Sequence, residues 1–138
     1  FKNHGAFLLK ENSSPKKIAT SKMSNNKANK IFTSSSIRES VLEVLSKNIL
    51  NYEFIKQSSA LKFGNIASGE GCFYPRLGPT HEWDTAAGQI LVEEAGGVVV
   101  DKFMKPLLYN KNRVFINKEF FVIADPNFDW RPIIDAIF

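Results

Sequence analysis

Apolar residues return every four positions at Ile37, Val41, Leu45 and Ile49, with Val44 beside them. The segment IRESVLEVLSKNIL therefore carries one apolar stripe and predicts an amphipathic helix, which the serines of the preceding KIFTSSS run are placed to cap. Elsewhere the period shortens. Ala6 to Leu9, a short run near Ile18, KIFTSSS, NYEFIKQ and CFYPRLGP read as strands, the last broken by Pro75. GVVVD and EFFVIAD are continuous apolar runs, the pattern of strands covered on both faces. SSALKFGNIASGEG predicts a second helix with a serine cap and glycine punctuation at its end. A third helix runs from about Asp84 to Ala95, closed by Gly96 and Gly97, where left-handed backbone is expected. PLLYNKN is a turn-bearing connector, and DWRPIIDAIF predicts a terminal helix.

Strands that alternate with helices, some apolar on both faces, need helices on both sides of a sheet. The expected class is α/β: a three-layer α/β/α domain with a central mixed sheet of about five strands. The 138 residues fit one domain and not two.

Composition narrows the picture. Hydrophobic content of 43% with 12% aromatic residues is globular, and no apolar run approaches the roughly 18 residues of a membrane span. The single cysteine, Cys72, cannot form an internal disulfide, which points to a reducing compartment, the cytoplasm, with peripheral association at the inner membrane left open. One Cys and two His (His4 and His81) cannot close a structural zinc site.

The formal charge of +4 is unevenly placed: Lys10, Lys16, Lys17, Lys22, Lys27 and Lys30 cluster around one acid, Glu11. That stretch has no arginine to fork onto bases or phosphates and no aromatic ring to stack on bases. It reads as a solvated, poorly ordered loop, and nucleic acid is not expected as a partner.

The chemistry concentrates in GPTHEWDTAAGQILVEEAGG, residues 78–97. A helix N-terminus attracts anions through its unpaired amides and its dipole. Asp84 adds a hard oxygen of the kind that binds Mg²⁺, an ion that usually takes one or two carboxylates plus phosphate oxygens. The same residue type in the same place also reads as a plain N-cap. Small residues follow in Thr85-Ala86-Ala87-Gly88, and a glycine inside a helix costs about 1 kcal/mol unless something approaches it closely. Ser59 and Lys62 stand three residues apart, on one face of the second helix, where a hydroxyl and a cation suit a phosphate or a base; they also read as a cap and a surface charge. Arg76 sits beside a proline in an aromatic strand. Tyr74 and Trp83 read as packing residues, with Trp83 placed to orient Asp84. His81 reads as a loop residue, and Glu93 and Glu94 as solvent-facing or capping acids.

The wider pattern favours the ligand reading. EWDTAAGQILVEEAGGVVVD, preceded by GEGCFYPRLGPT, resembles the C-terminal signature of the inositol monophosphatase superfamily. YPRLGPTHEWDTAAG, SSALKFGNIASGEG and KPLLYNK resemble its branch of 3'(2'),5'-bisphosphate nucleotidases of the CysQ type, continuously from about Gln57 to Tyr109. The resemblance implies the C-terminal domain of the inositol monophosphatase-like fold and a Mg²⁺-dependent phosphatase. Its expected substrate is a small phosphorylated nucleotide, adenosine 3',5'-bisphosphate, which would lose its 3'-phosphate. It implies that Asp84 is a catalytic metal ligand that also contacts the substrate phosphate. By the same resemblance Ser59, Lys62 and Arg76 line the nucleotide side of the pocket.

The chain departs from the family in two respects. The superfamily's Glu-Glu and Asp-Pro-x-Asp-Gly-Thr elements are absent; IADPNFDW contains Asp125-Pro126 but no Asp-Gly-Thr. Where nucleotidases tend to show a histidine after the serines matching FTSSSIRES, this chain has Ile37. The expectation is a substrate-side domain over residues 1–138, inactive alone, whose partner is a missing N-terminal half carrying the other carboxylates. The alternatives are a module that binds a phosphoryl ligand without catalysis and an inositol or sugar phosphatase of the same superfamily.

Overall fold

The computed structural model describes residues 2–58, 60–111 and 113–138. Nine strands and four helices are assigned among them: β1 (Ala6–Leu8), β2 (Lys16–Ile18), β3 (Asn29–Thr33), α1 (Glu39–Asn48), β4 (Tyr52–Lys56), α2 (Leu61–Ala67), β5 (Phe73–Arg76), β6 (Thr80–His81), α3 (Glu82–Glu94), β7 (Val98–Val100), β8 (Ile116–Asn117), β9 (Phe120–Ile123) and α4 (Arg131–Ile137).

Five of the strands form the central sheet, in the order β4-β3-β5-β9-β7. β4, β3 and β5 run parallel, and β9 is antiparallel to both β5 and β7, so the sheet is mixed as the pattern predicts. Its side chains alternate between two cores. Phe32, Tyr74, Val99, Phe120 and Val122 face α2 and α3, and pack with Phe63, Ile66 and Val92. Ile31, Phe73, Val100, Phe121 and Ile123 face α1 and α4, and pack with Val41, Leu45, Trp130 and Ile134. Both faces are covered, which is why GVVVD and EFFVIAD lack a polar stripe. The α1 stripe behaves as its spacing requires: Val41, Leu45 and Ile49 are buried.

The strand order creates the crevice that matters for function. From β3 the chain crosses to β4 through α1 on one face; from β4 it crosses back over β3 to β5 through α2 on the other face. β3 and β5 thus flank a topological switch point, and in open α/β sheets ligands bind beyond the carboxyl ends of the strands at such a point. Here the two strands share only the Ile31–Phe73 pair, while β5 continues for four pairs along β9. Pro75 tolerates its place in the sheet because the ladder on the β3 side has already ended.

Several local expectations are corrected. The serines do not cap α1: its N-cap is Arg38 with no side-chain cap bond, and Ser34–Ser36 form a turn in which Ile37 N donates to Ser34 O at 3.3 Å. α2 has Ala60 at its N-cap position; the serine cap expected there falls on Ser59, which lies outside the described residues. Gly96 has the left-handed backbone expected (φ +101°), and Gly96 and Gly97 amides close α3 on Glu93 O and Val92 O. Gly97 is instead required by space, since a Cβ there would lie 2.5 Å from Ile123 O. The lysine-rich loop is tied down rather than loose. Asn29 is buried and donates to Ser24 O and Leu50 O at 2.7 Å, and Asp125 accepts from Lys22 Nζ and Met23 N at 3.1 Å.

Candidate active site

Hollows open at the carboxyl ends of the parallel strands, and two of them share Lys62 and Arg76. The first, of about 320 Å³, is lined by Lys62, Phe63, Tyr74, Arg76, Thr80, Asp84 and Phe120 among others. The second, of about 340 Å³, is lined by Ser34, Ser35, Ser36, Lys56, Gln57, Ser58, Lys62 and Arg76. Lys62 and Arg76 belong to both; Asp84 belongs to the first alone.

Lys62 is not a surface charge. It is only 3% exposed, its ammonium donates to Gln57 O at 3.0 Å, and it sits 4.6 Å from the centre of the Tyr74 ring. Burial, and then the nearby Arg76 charge, lower its pKa. The Tyr74 hydroxyl is pushed up to about 12 by burial, against the pull of Arg76, so the ring stays neutral as a cation–π face. Arg76 is held by Thr80, whose hydroxyl accepts from Nε at 3.0 Å. Two cations sharing one partly desolvated wall disfavour each other and favour an anion between them.

Asp84 enters from α3. That helix begins at Glu82, two residues before the expected start, with His81 at the N-cap position. Asp84 is therefore the third helical residue, in the first turn, and not the cap. Its side chain is 58% exposed, open toward the hollow it lines. The expected glycine cost at Gly88 has a physical cause: a Cβ there would lie 2.4–2.8 Å from three atoms of the Phe63 ring. Gly88 thus lets α2 approach α3 and seats Phe63 in the wall of the first hollow, while Ala86 and Ala87 face outward.

Trp83 departs from its expected packing role. It is 66% exposed and stacks on His81, with ring centres 4.5 Å apart and planes 9° apart. His81 Nδ1 is 3.9 Å from Asp84 Oδ2, beyond hydrogen-bond range. Glu94 is a capping acid: it accepts from the backbone amides of Asn3, His4 and Gly5 at 2.6–2.9 Å, and these bonds, led by that from Asn3, lower its pKa. Glu93 accepts from Gln89 at 2.8 Å. Cys72, buried and with its thiol pushed up to about 12, is no nucleophile.

The sequence reading missed the residues that hold α3 in place. Glu82, Thr85, Gln89 and Val92 form its buried stripe, and three of the four are polar. Read as a periodicity this is a solvent face. The signal was present as Glu-x-x-Thr-x-x-x-Gln at helical spacing, with no hydrophobic residue on that line until Val92.

The described residues supply only part of a metal shell. No group of three or more His, Cys, Asp and Glu among them could hold a metal. Asp84, an open carboxylate at the anion-attracting end of a helix, fits as one shared ligand of a hard cation whose other ligands are phosphate oxygens, waters and further carboxylates. No helix among the described residues is long and apolar enough to cross a membrane.

Comparison with known proteins gives the context. The model of the inositol monophosphatase family matches residues 1–125. The 3'(2'),5'-bisphosphate nucleotidase CysQ of Haemophilus influenzae is 40% identical over 96 residues, 70% of this chain and 36% of that protein. The CysQ of Aggregatibacter actinomycetemcomitans is 45% identical over 104 residues, 75% of this chain and 38% of that protein. The chain thus spans 36–38% of the length of these curated relatives. Among solved structures, CysQ from Bacteroides thetaiotaomicron superimposes with a TM-score of 0.72 at 27% identity, over 91% of this chain and 52% of that one. An inositol monophosphatase from Anabaena shares the fold, with a TM-score of 0.64 at 21% identity, over 88% of this chain and 48% of that one.

Proposed function

Because the chain belongs to the inositol monophosphatase family, we propose that it is the substrate-side part of a Mg²⁺-dependent phosphatase that removes the 3'-phosphate of adenosine 3',5'-bisphosphate. The observation that carries this reading is the shared cationic wall. Lys62 and Arg76 stand between two adjacent hollows, only one of which contains Asp84. A ligand with one phosphoryl group suits one hollow. A ligand with two suits both, its reacting phosphate beside Asp84 and its second beside Lys56 and the Ser34–Ser36 hydroxyls.

The residues then divide the work. Lys62 and Arg76 bind and orient the dianionic groups, and the Tyr74 face holds the Lys62 ammonium in place. Asp84 contributes one carboxylate to the site of the scissile phosphate. Bound Mg²⁺ supplies charge neutralisation and activation of the attacking water. The remaining carboxylates, in this account, come from outside these 138 residues. Ser59 is retained as a substrate-side residue on the strength of the family resemblance alone. The nucleotidase name of the CysQ relatives supports the choice of a bisphosphorylated nucleotide.

A substrate panel on the full-length protein tests the choice. Phosphate release should be fastest from adenosine 3',5'-bisphosphate, slower from adenosine 3'-monophosphate, and weakest from inositol 1-phosphate and sugar phosphates. Preference for inositol phosphate would replace the nucleotide reading within the same family. No Mg²⁺-dependent release from any of them would favour the second reading, a phosphoryl-binding module, which the absence of a metal-holding cluster among the described residues also suits.

A further inference from the structure

The first turn of α3, which carries Asp84, is fastened from beneath by polar groups on one distant stretch of chain. Glu82 N donates to Phe115 O at 2.9 Å, and Glu82 Oε2 accepts from Asn110 N at 2.7 Å. β6 pairs with β8, placing Thr80 opposite Asn117. Thr85, fully buried and adjacent to Asp84, donates its hydroxyl proton to Glu82 O at 3.0 Å and accepts from Asn117 Nδ2 at 3.0 Å. One turn on, Tyr109 Oη lies 2.7 Å from Gln89 Oε1 and 3.3 Å from Thr85 Oγ1. A phenol has one proton, so the shorter contact takes it and the longer is a dipolar approach.

This is an expensive way to bury a helix face. Val92-like residues along the stripe would pack without any need for partners, whereas each buried polar group must find one. What polar partners provide and apolar ones do not is a fixed rotation and register, because hydrogen bonds are directional.

We propose that Thr85 and Asn117 are positioning residues for Asp84, fixing the rotation of the first turn of α3 so that the carboxylate meets the metal and the scissile phosphate. The inference rests on the reading of Asp84 as a metal ligand given above. Partners that orient a metal ligand in this way typically change metal affinity when removed.

The test uses the full-length protein and Mg²⁺ as the probe. Binding is followed by isothermal titration calorimetry with Mg²⁺, and in parallel by phosphate release. Thr85→Val keeps the shape and removes the hydroxyl; it should raise the half-saturating Mg²⁺ concentration roughly ten- to a hundredfold, with the KM for the nucleotide changed far less. Asn117→Leu should act in the same direction. Thr85→Ser, which retains the hydroxyl, should stay close to wild type. The inference is overturned if folded Thr85→Val and Asn117→Leu proteins keep wild-type Mg²⁺ dependence. Equal impairment of Thr85→Ser, or loss of fold in both Thr85→Val and Asn117→Leu, also overturns it, the latter making them core residues only. Asp84→Asn serves as the control. If it too leaves the Mg²⁺ dependence unchanged, the metal-ligand reading has failed; if it alone shifts the curve, only the positioning role has.

Discussion

Replacing Gly88 by alanine should destabilise the protein, although alanine is the better helix former. At an open helical position the exchange gains about 1 kcal/mol. Here the new methyl would lie 2.4, 2.6 and 2.8 Å from three atoms of the Phe63 ring. That ring cannot swing aside freely: it packs edge-on to Tyr74 at 5.9 Å and stacks on Phe120 at 5.8 Å. Overpacking of a rigid core costs about 1–3 kcal/mol, and three contacts against a braced ring belong at the upper end. With the helix gain subtracted, the net loss is about 2 kcal/mol. An unfolding entropy of about 2.1 cal/mol/K per residue gives about 0.29 kcal/mol/K for this chain, so Tm should fall by about 7 °C in a circular dichroism melt. Phe63→Leu in the same molecule should recover part of the loss, because the two positions touch and their effects will not add. A Tm that rises by several degrees in Gly88→Ala would show that α2 does not press on α3 there, and the account of how Phe63 is seated beside the site would be wrong.

Lys62→Ala and Arg76→Ala, made in the full-length protein, should raise the KM for the bisphosphate more than they lower kcat; a loss confined to kcat would remove them from the substrate wall. The 138-residue chain alone should release no phosphate above background at any Mg²⁺ concentration, and robust release would show that Asp84 needs no further carboxylates. Asp125 tests the other end of the sheet. Its burial alone would raise its pKa, but bonds from Lys22, Met23 N and Asn127 N outweigh that and leave it lowered. A lowered folded pKa means that the ionised form stabilises at neutral pH and that this contribution is lost as pH falls below about 4. Asp125→Asn should therefore melt below wild type at pH 7, with the gap closing in acid; a gap constant with pH would contradict the assignment.

The fold was legible wherever one residue type decided an element. The four-residue spacing of Val41, Leu45 and Ile49 specified α1, and the unbroken apolar runs specified β7 and β9 as strands covered on both sides. Gly96 was legible as a left-handed C′ residue because the cap pattern is local. What escaped was decided by distant contacts. A serine cap was expected before α1, but the serines form a turn at Ser34–Ser36 and Arg38 takes the N-cap position. The site was legible in part: Lys62, Arg76 and Asp84 do line one hollow, though periodicity left Lys62 open as a surface charge and Trp83 as a packing residue. The polar stripe beneath Asp84 was hidden for a simple reason. Glu82, Thr85 and Gln89 have the composition of a solvent face, and their partners Asn110, Tyr109 and Asn117 lie 20–32 residues away.

The central claim is that Asp84 supplies one essential carboxylate to a Mg²⁺–phosphate site. Phosphate release from adenosine 3',5'-bisphosphate by the full-length protein and its Asp84→Asn variant, measured across Mg²⁺ concentrations, tests it most directly. The amide keeps the size of the side chain and removes the charge. The Asp84→Asn variant should fold, melting within a few degrees of wild type, with most of its turnover abolished and not restored by excess Mg²⁺. Near-normal turnover with unchanged Mg²⁺ dependence would contradict it, leaving Asp84 as nothing more than an acid in the first turn of α3.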